Sequence, residues 1–164
     1  MKKTLIITLM LGLGISACTK TKTDLTKSGD YSCSNVVQKY SASNSKGWRD
    51  SGVRTDFTAR ISVYADKTMA VRYSVPGLGS LGNNLGGETL KFEITNNTMV
   101  GTEKVSEKQI VDPSTKKPWI KEESTRMWID TNTGQFERIT TYRGYNLSRV
   151  QTSEETYTLS GRCL

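Results

Sequence analysis

The sequence predicts an all-β protein, either an antiparallel β-sandwich or a small barrel-like meander, with at most one short helix near the start of the domain. Three observations predict this fold class. Apolar and polar residues alternate over several stretches, as they do along a strand with one buried face. Turn-forming residues separate these stretches at the short intervals typical of antiparallel hairpins. After Tyr40, no stretch of ten or more residues has the apolar spacing of a helix.

The first element is the least regular one. We expect the domain to begin around residues 31–33. The apolar residues within 36–40 fit either a short helix capped by Ser34 or Asn35, or an irregular continuation of the first strand. Residues 41–52 are polar and predict a loop.

A hairpin is the clearest element of the chain. Residues 57–65 and 69–75 both alternate between apolar and polar side chains. Asp66 and Lys67 supply the turn between them, so these two stretches predict paired antiparallel strands. A glycine-rich loop over residues 76–87 follows.

The next hairpin is centred on an asparagine pair. Residues 90–95 and 99–105 flank Asn96 and Asn97, which can adopt the positive φ values of a two-residue turn. The alternation breaks around residues 100–101, and this break indicates a β-bulge.

The C-terminal third predicts three more strands. Residues 118–129 and 135–142 flank residues 130–134, whose Asp-Thr-Asn-Thr-Gly sequence is typical of a turn. Residues 157–163 alternate again and form the closing strand. Two polar segments are expected to be connections: residues 107–117 and 143–152.

The N-terminal segment has the features of a secretion signal. Lys2 and Lys3 precede an apolar run that is too short for an ordinary membrane span. The run ends in Ile-Ser-Ala-Cys, residues 15–18, which resembles the lipobox of bacterial lipoproteins. The resemblance implies that residues 1–17 are cleaved and that Cys18 becomes the acylated first residue. The alternative is a plain signal peptide that contains a cysteine by chance.

The resemblance also implies a location. Thr19 occupies the position where an aspartate would retain an enteric lipoprotein at the inner membrane. We therefore expect anchoring at the outer membrane, with the periplasmic side favoured over the cell surface. Only one large apolar residue occurs in 19–29, so we expect residues 18–29 to form a flexible tether and residues 30–164 to form a single domain.

Two cysteines remain once Cys18 is assigned to the lipid, Cys33 and Cys163. An even remainder in an oxidising compartment predicts one disulfide. Because the two residues lie near the ends of the domain, this bond would place the first and last strands side by side. A free or redox-active pair is the alternative, although neither cysteine lies in a C-x-x-C motif.

The chain contains no histidine. This excludes Ser-His-Asp and Cys-His nucleophile systems and histidine-ligated zinc, so we expect no catalytic residue, metal or cofactor. Loss of Lys2 and Lys3 lowers the net charge from +7 to +5. This surplus fits attraction to anionic headgroups or an acidic partner, or a merely solvated surface. The arginines are spread over separate elements, so no nucleic-acid partner is expected.

Two segments are candidates for partner binding. The glycine-rich loop carries three leucines, which form an apolar contact site if they face outward and cap the core if they fold back: Leu78, Leu81 and Leu85. A basic-aromatic patch near residue 118 suits anionic or sugar ligands, unless its tryptophan is buried and its lysines are only solvated: Lys116, Lys117, Trp119 and Lys121.

These observations predict a lipid-anchored, non-catalytic binding module of the cell envelope that contacts a protein or glycan partner, in an inhibitory, exclusion, immunity or assembly role. A carboxylate-based hydrolase of envelope glycans is one alternative. However, the acidic pairs at 122–123 and 154–155 are adjacent, and adjacent strand residues point to opposite faces. A purely structural lipoprotein is the other alternative.

The lipobox generates a direct test. We expect metabolic labelling with palmitate to mark the wild-type chain and not Cys18→Ser, and the variant to leave the membrane fraction because its thiol cannot be acylated. Labelled and unlabelled bands on a gel measure this. An unmarked wild type, together with a variant that still fractionates with membranes, would contradict the predicted anchor.

Overall fold

Eight antiparallel strands form the fold of this chain, in a computed structural model that describes residues 24–75 and 85–163. In chain order the strands are β1 (Gly29–Asn44), β2 (Arg49–Val63), β3 (Thr68–Ser74), β4 (Leu85–Thr95), β5 (Thr98–Val111), β6 (Pro118–Asp130), β7 (Gln135–Tyr145) and β8 (Gln151–Cys163). Each strand pairs with its neighbours in sequence, and β8 pairs with β1 to close a barrel. The all-β prediction is confirmed, with the barrel in place of the sandwich.

The described residues contain no helix, so none of them forms one that is long and apolar enough to cross a membrane. Residues 36–40 belong to strand β1, which is hydrogen-bonded to both β2 and β8. Of the two structures that the sequence allowed here, the irregular continuation of the first strand is the one observed, and the short helix is not formed. A register shift after Cys33, with Asn35 at a φ of 52°, changes which side chains face inward. Val36 and Tyr40 therefore both face the interior of the barrel. Residues four apart also share one face of a helix, so their spacing fits a helix as well as this strand.

Several strands are longer than the sequence predicts. Residues 41–44, 49–52, 107–111 and 143–145 were expected in loops or connections, yet all are paired in the barrel. These segments lack apolar alternation because they build one half of the barrel in which the inner face is also polar. A strand with two polar faces has no period-2 hydrophobic signal.

The turns between strands follow the predicted chemistry. Asn96 and Asn97 have φ values of 48° and 63°, which confirms the two-residue turn between β4 and β5. Lys67, at a φ of 59°, lies in the turn of the first predicted hairpin. Register also shifts between Gly101 and Lys104, next to the position where the alternation breaks.

One half of the interior is filled with apolar side chains. We call it the apolar half. It lies at the barrel end that contains the turns β2–β3, β4–β5 and β6–β7. Its most deeply buried residues are Val36, Ile61, Met69, Val71, Met99, Ile129 and Phe136. The opposite half, with the connections β1–β2, β3–β4, β5–β6 and β7–β8, is called the polar half.

The segment before β1 covers the apolar end and corrects the expected tether. Leu25 is only 2% exposed and belongs to the core. Residues 24–28 form a turn in which Lys27 N–H donates to the Asp24 carbonyl. The Tyr31 hydroxyl lies 2.8 Å from the Asp24 carbonyl oxygen and 2.6 Å from that of Lys27, so its one proton is shared between these two acceptors. Burial of one leucine is enough to order this short polar segment. The expected tether of residues 18–29 therefore shortens to residues 18–23, which lie outside the described residues.

The disulfide joins the two strands that close the barrel. Cys33 and Cys163 are in register on β1 and β8, and their sulfur atoms are 2.10 Å apart. The predicted bond and the predicted adjacency of the first and last strands are both confirmed.

Gly134 provides a test of the fold at the same end. Its φ is +74°, and a Cβ atom there would lie 2.0 Å from the carbonyl oxygen of Cys163. We expect Gly134→Ala to lower the free energy of unfolding by more than about 3 kcal/mol, because backbone strain and a backbone clash add. Urea denaturation measures the loss.

Gly47 is the matched control for this substitution. Its φ is +84°, but a Cβ atom would meet nothing within 4 Å. Gly47→Ala should therefore cost only the roughly 1–2 kcal/mol of the left-handed conformation. Equal losses in the two variants would show that the contact with Cys163 is unimportant.

Candidate functional site

The polar half of the barrel contains a cavity instead of a packed core. Its volume is about 540 Å³, within the range of small-molecule sites. Eight-stranded barrels are just wide enough to be filled by side chains or to hold one small ligand. We call this space the polar cavity, and the side chains that give it chemical character are Tyr73, Glu88, Glu123, Arg138, Tyr142 and Tyr157.

Strand register sets the depth of each group. Arg138 on β7 pairs with Met127 on β6 and Leu159 on β8, so it lies at the boundary of the apolar half. Thr140 comes next, with its hydroxyl oxygen 3.3 Å from that of Thr125. Tyr142 lies two further residues along β7, in register with Glu123 on β6 and Glu155 on β8. The cavity therefore has a cation at its inner end and carboxylates nearer the polar end.

Arg138 is the deepest charged group. It is only 9% exposed and lines the cavity. Within residues 24–75 and 85–163, it makes no side-chain hydrogen bond and no ion pair within 4.0 Å. A buried guanidinium carries several N–H donors, which need hydrogen-bond acceptors from solvent or a ligand.

Glu88 has a partner, in contrast. Its carboxylate lies 2.8 Å from the Lys104 ammonium. Burial alone would raise the pKa of Glu88, but hydrogen bonds from Lys104 and Thr125 and the positive charges of Lys104 and Arg138 together lower the pKa. The same pairing raises the pKa of Lys104. The Glu88 carboxylate is therefore ionised, and the Lys104 ammonium already neutralises its charge.

Tyrosine rings form much of the wall. The rings of Tyr142 and Tyr157 meet edge to face with centroids 6.0 Å apart, and Tyr40 stacks on Tyr157 at 6.4 Å. Burial and then the negative charge of Glu123 raise the pKa of Tyr142 to about 12. Burial, followed by the charge of Glu155, also raises the pKa of Tyr157. Both phenols are neutral donors at physiological pH.

The basic-aromatic patch predicted from sequence lies at the polar end. Lys116 and Lys117 are exposed in the β5–β6 connection, and Lys116 has a φ of 56°. Trp119 and Lys121 on β6 line a smaller pocket of about 330 Å³, which shares Tyr142 with the polar cavity. The Lys121 ammonium lies 4.2 Å from the centre of the Tyr142 ring. These residues thus border the cavity, although the sequence did not indicate the cavity itself.

The leucine loop is mostly outside the described residues. Leu78 and Leu81 fall within residues 76–84, which the structure does not describe. Leu85 is the first residue of β4, and its side chain is likewise outside the described set.

Sequence reasoning missed the interior charges. The signal for Arg138 was present, because Arg138 has the same phase as Phe136 and Thr140 on an alternating strand and so faces the interior. The signal for Glu88 was weaker, because it lies at the start of β4 beside the glycine-rich loop.

Searches of family models, of curated proteins and of solved structures gave no significant match to this chain. Fold and site define it as an eight-stranded up-and-down barrel with a polar cavity in one half. No cluster of three or more His, Cys, Asp or Glu side chains that could hold a metal occurs among the residues described.

Tyr142 gives the site a measurable pH signature. We expect an ultraviolet titration of the folded protein to show a tyrosine step near pH 12. Tyr142→Phe should remove this step, and Tyr64→Phe, outside the cavity, should leave it. From about pH 10 to pH 12 the unfolded chain loses this proton first, so the wild type should lose stability as pH rises through that window. A Tyr142→Phe titration that superimposes on the wild type would contradict the assignment.

Proposed function

We propose that this chain is a lipid-anchored, non-catalytic binding module of the cell envelope, and that its binding site is the polar half of the barrel. The observation that carries the proposal is the polar cavity, in which the Arg138 guanidinium forms no ion pair within 4.0 Å among the described residues. A barrel whose interior served only for stability would be filled with packed apolar side chains.

The path of the chain supports an orientation for this module. The described residues begin at Asp24, beneath the apolar end, where Leu25 is buried. Five residues lie between Cys18 and Asp24, so the two are at most about 22 Å apart when the chain is extended. A lipid on Cys18 would therefore hold the apolar end near the bilayer and direct the polar end away from it, toward an outer-membrane lipoprotein's partners in the periplasm.

Exposed apolar residues at the polar end support a contact with a larger partner. Trp48, Val111, Leu147 and Val150 are each more than half exposed and lie in or beside three of the connections at this end. With Lys116 and Lys117 they surround the polar end with apolar and basic groups. Such a surface suits a protein or glycan partner, in an inhibitory, exclusion, immunity or assembly role.

The hydrolase alternative rests on one observation, because Glu88 and Glu123 line the same cavity. A glycosidase needs one carboxyl group with a raised pKa as its general acid. The Lys104 ion pair and the lowered pKa remove Glu88 from this role. Binding requires no such acid, and we propose it as the better supported function.

Photo-cross-linking in intact cells tests the proposal. A photo-reactive benzoylphenylalanine replaces Lys117 at the polar end, and in a matched variant it replaces Lys67 in the exposed turn at the apolar end. We expect a discrete adduct from position 117 and none from position 67, because only the polar end meets the partner. Gel shifts before and after muramidase digestion distinguish protein from glycan adducts.

Adducts of equal yield at both positions would contradict the proposed site. No adduct at either position would contradict the binding function and favour a purely structural lipoprotein.

A further inference from the structure

We infer that the polar cavity binds a short zwitterionic peptide, with the peptide carboxylate paired to Arg138 and its amino group directed to Glu123. This inference rests on the proposal that the polar half is the binding site, and it adds the chemical class of the ligand.

The inner end of the cavity selects an anion. Arg138 presents a guanidinium to this space, and no carboxylate among the described residues lies within 4.0 Å of it. Glu88 is near enough to interact with it electrostatically, but Lys104 already holds that carboxylate at 2.8 Å. A guanidinium binds a carboxylate through two parallel, charge-assisted hydrogen bonds, as it also binds a phosphate.

The outer part of the cavity carries the opposite charge. Glu123 lines the cavity and has no ion pair within 4.0 Å among the residues described. Its negative charge contributes to the raised pKa of Tyr142, which places it beside that ring. Glu123 accepts a hydrogen bond from the Tyr142 hydroxyl and interacts with the charge of Lys104, but it forms no ion pair within 4.0 Å. Among the described residues that line the cavity, Arg138 and Glu123 are therefore the charged groups without an ion-pair partner. A simple anion would supply such a partner to Arg138 alone, whereas a zwitterion supplies one to each.

Strand geometry sets the length of the ligand. Glu123 is in register with Tyr142, four residues along β7 from Arg138. At about 3.3 Å per residue, the two backbone positions are roughly 13 Å apart along the strand. Both side chains extend into the cavity, so the charged ends of the ligand lie closer together than this. An extended tripeptide spans about 10 Å, and the cavity of 540 Å³ has room for a ligand of this size.

The middle of the cavity suits peptide groups. Thr140 lines the cavity between the two charges, and Gln38 lines it at the level of Arg138. Both side chains can donate and accept hydrogen bonds. Tyr73 and Tyr157 add aromatic surface for small aliphatic side chains, and the Tyr157 hydroxyl donates to Glu155. Free oligopeptides and the peptide portions of larger envelope molecules share this chemistry.

Isothermal titration of the full-length chain in detergent tests the inference with three probes: tri-alanine, its C-terminal amide and its N-acetyl derivative. We expect the amide and the acetylated peptide to bind at least about tenfold more weakly than tri-alanine, because each lacks one charge-assisted contact. Arg138→Gln should bring the acid and the amide to equal affinity. Glu123→Gln should do the same for the free and acetylated peptides.

Arg126→Gln and Glu93→Gln are matched controls, because both residues are exposed and neither lines the polar cavity. They should keep the wild-type ranking. The comparison of the three probes on the wild type decides the question even if a cavity variant fails to fold. A wild type that binds the acetylated peptide as well as tri-alanine binds a simple anion, which overturns the zwitterion assignment.

Absence of binding at millimolar tri-alanine would also overturn the assignment. If the adduct at position 117 persists in that case, only the ligand class is wrong. If the adduct is absent as well, the proposed function fails.

Discussion

Closure of the barrel by β1 and β8 is the constraint on which the rest of the structure depends. The two strands pair over most of their length, and the Cys33–Cys163 disulfide lies within that pairing. Closure pairs every strand with two neighbours, although β4 and β5 pair only over residues 92–95 and 98–101. It also fixes the interior width at that of eight strands. Because the interior volume is fixed, the size of the inward-facing side chains decides how much of it is filled and how much stays open. A covalent link near both chain ends also restricts the unfolded chain, which favours the closed form.

Packing in the apolar half depends on residues that leave room for larger neighbours. A Cβ atom at Gly161 would lie 2.9 Å from the Phe136 ring, and one at Gly101 would lie 2.8 Å from the Met69 methyl group. These two glycines therefore allow a phenylalanine and a methionine to fill the interior without a void. Among the residues that the structure describes, no comparable set of large apolar side chains lies above the Arg138 level, where threonines, tyrosines and glutamates line the cavity. The cavity thus results from a change of side-chain chemistry along continuous strands.

The same change explains which features could be predicted from the sequence. Residues 57–75 were predicted as a hairpin because their inner face is apolar, and the asparagine turn and the disulfide followed from local chemistry and cysteine number. The extensions of β1, β2 and β5 were not predictable by alternation, because both of their faces are polar. Arg138 has the phase of an inward-facing residue, but a sequence alone does not show that its counterion is missing. That requires the strand register and the Glu88–Lys104 ion pair.

The position of Arg138 also bears on why the barrel keeps a cavity. A guanidinium at the edge of an apolar core loses hydration, and this loss costs free energy unless a charge or hydrogen-bond acceptors compensate it. A methionine in place of Arg138 would extend the apolar core, because it would give Met127 and Leu159 an apolar neighbour. The chain instead places a cation there and pairs the carboxylate that interacts with it, that of Glu88, with Lys104. An arginine without an ion pair at position 138 stabilises the fold less than a packed apolar residue would. Such a residue is expected where a protein recognises an anion, even at a cost in stability.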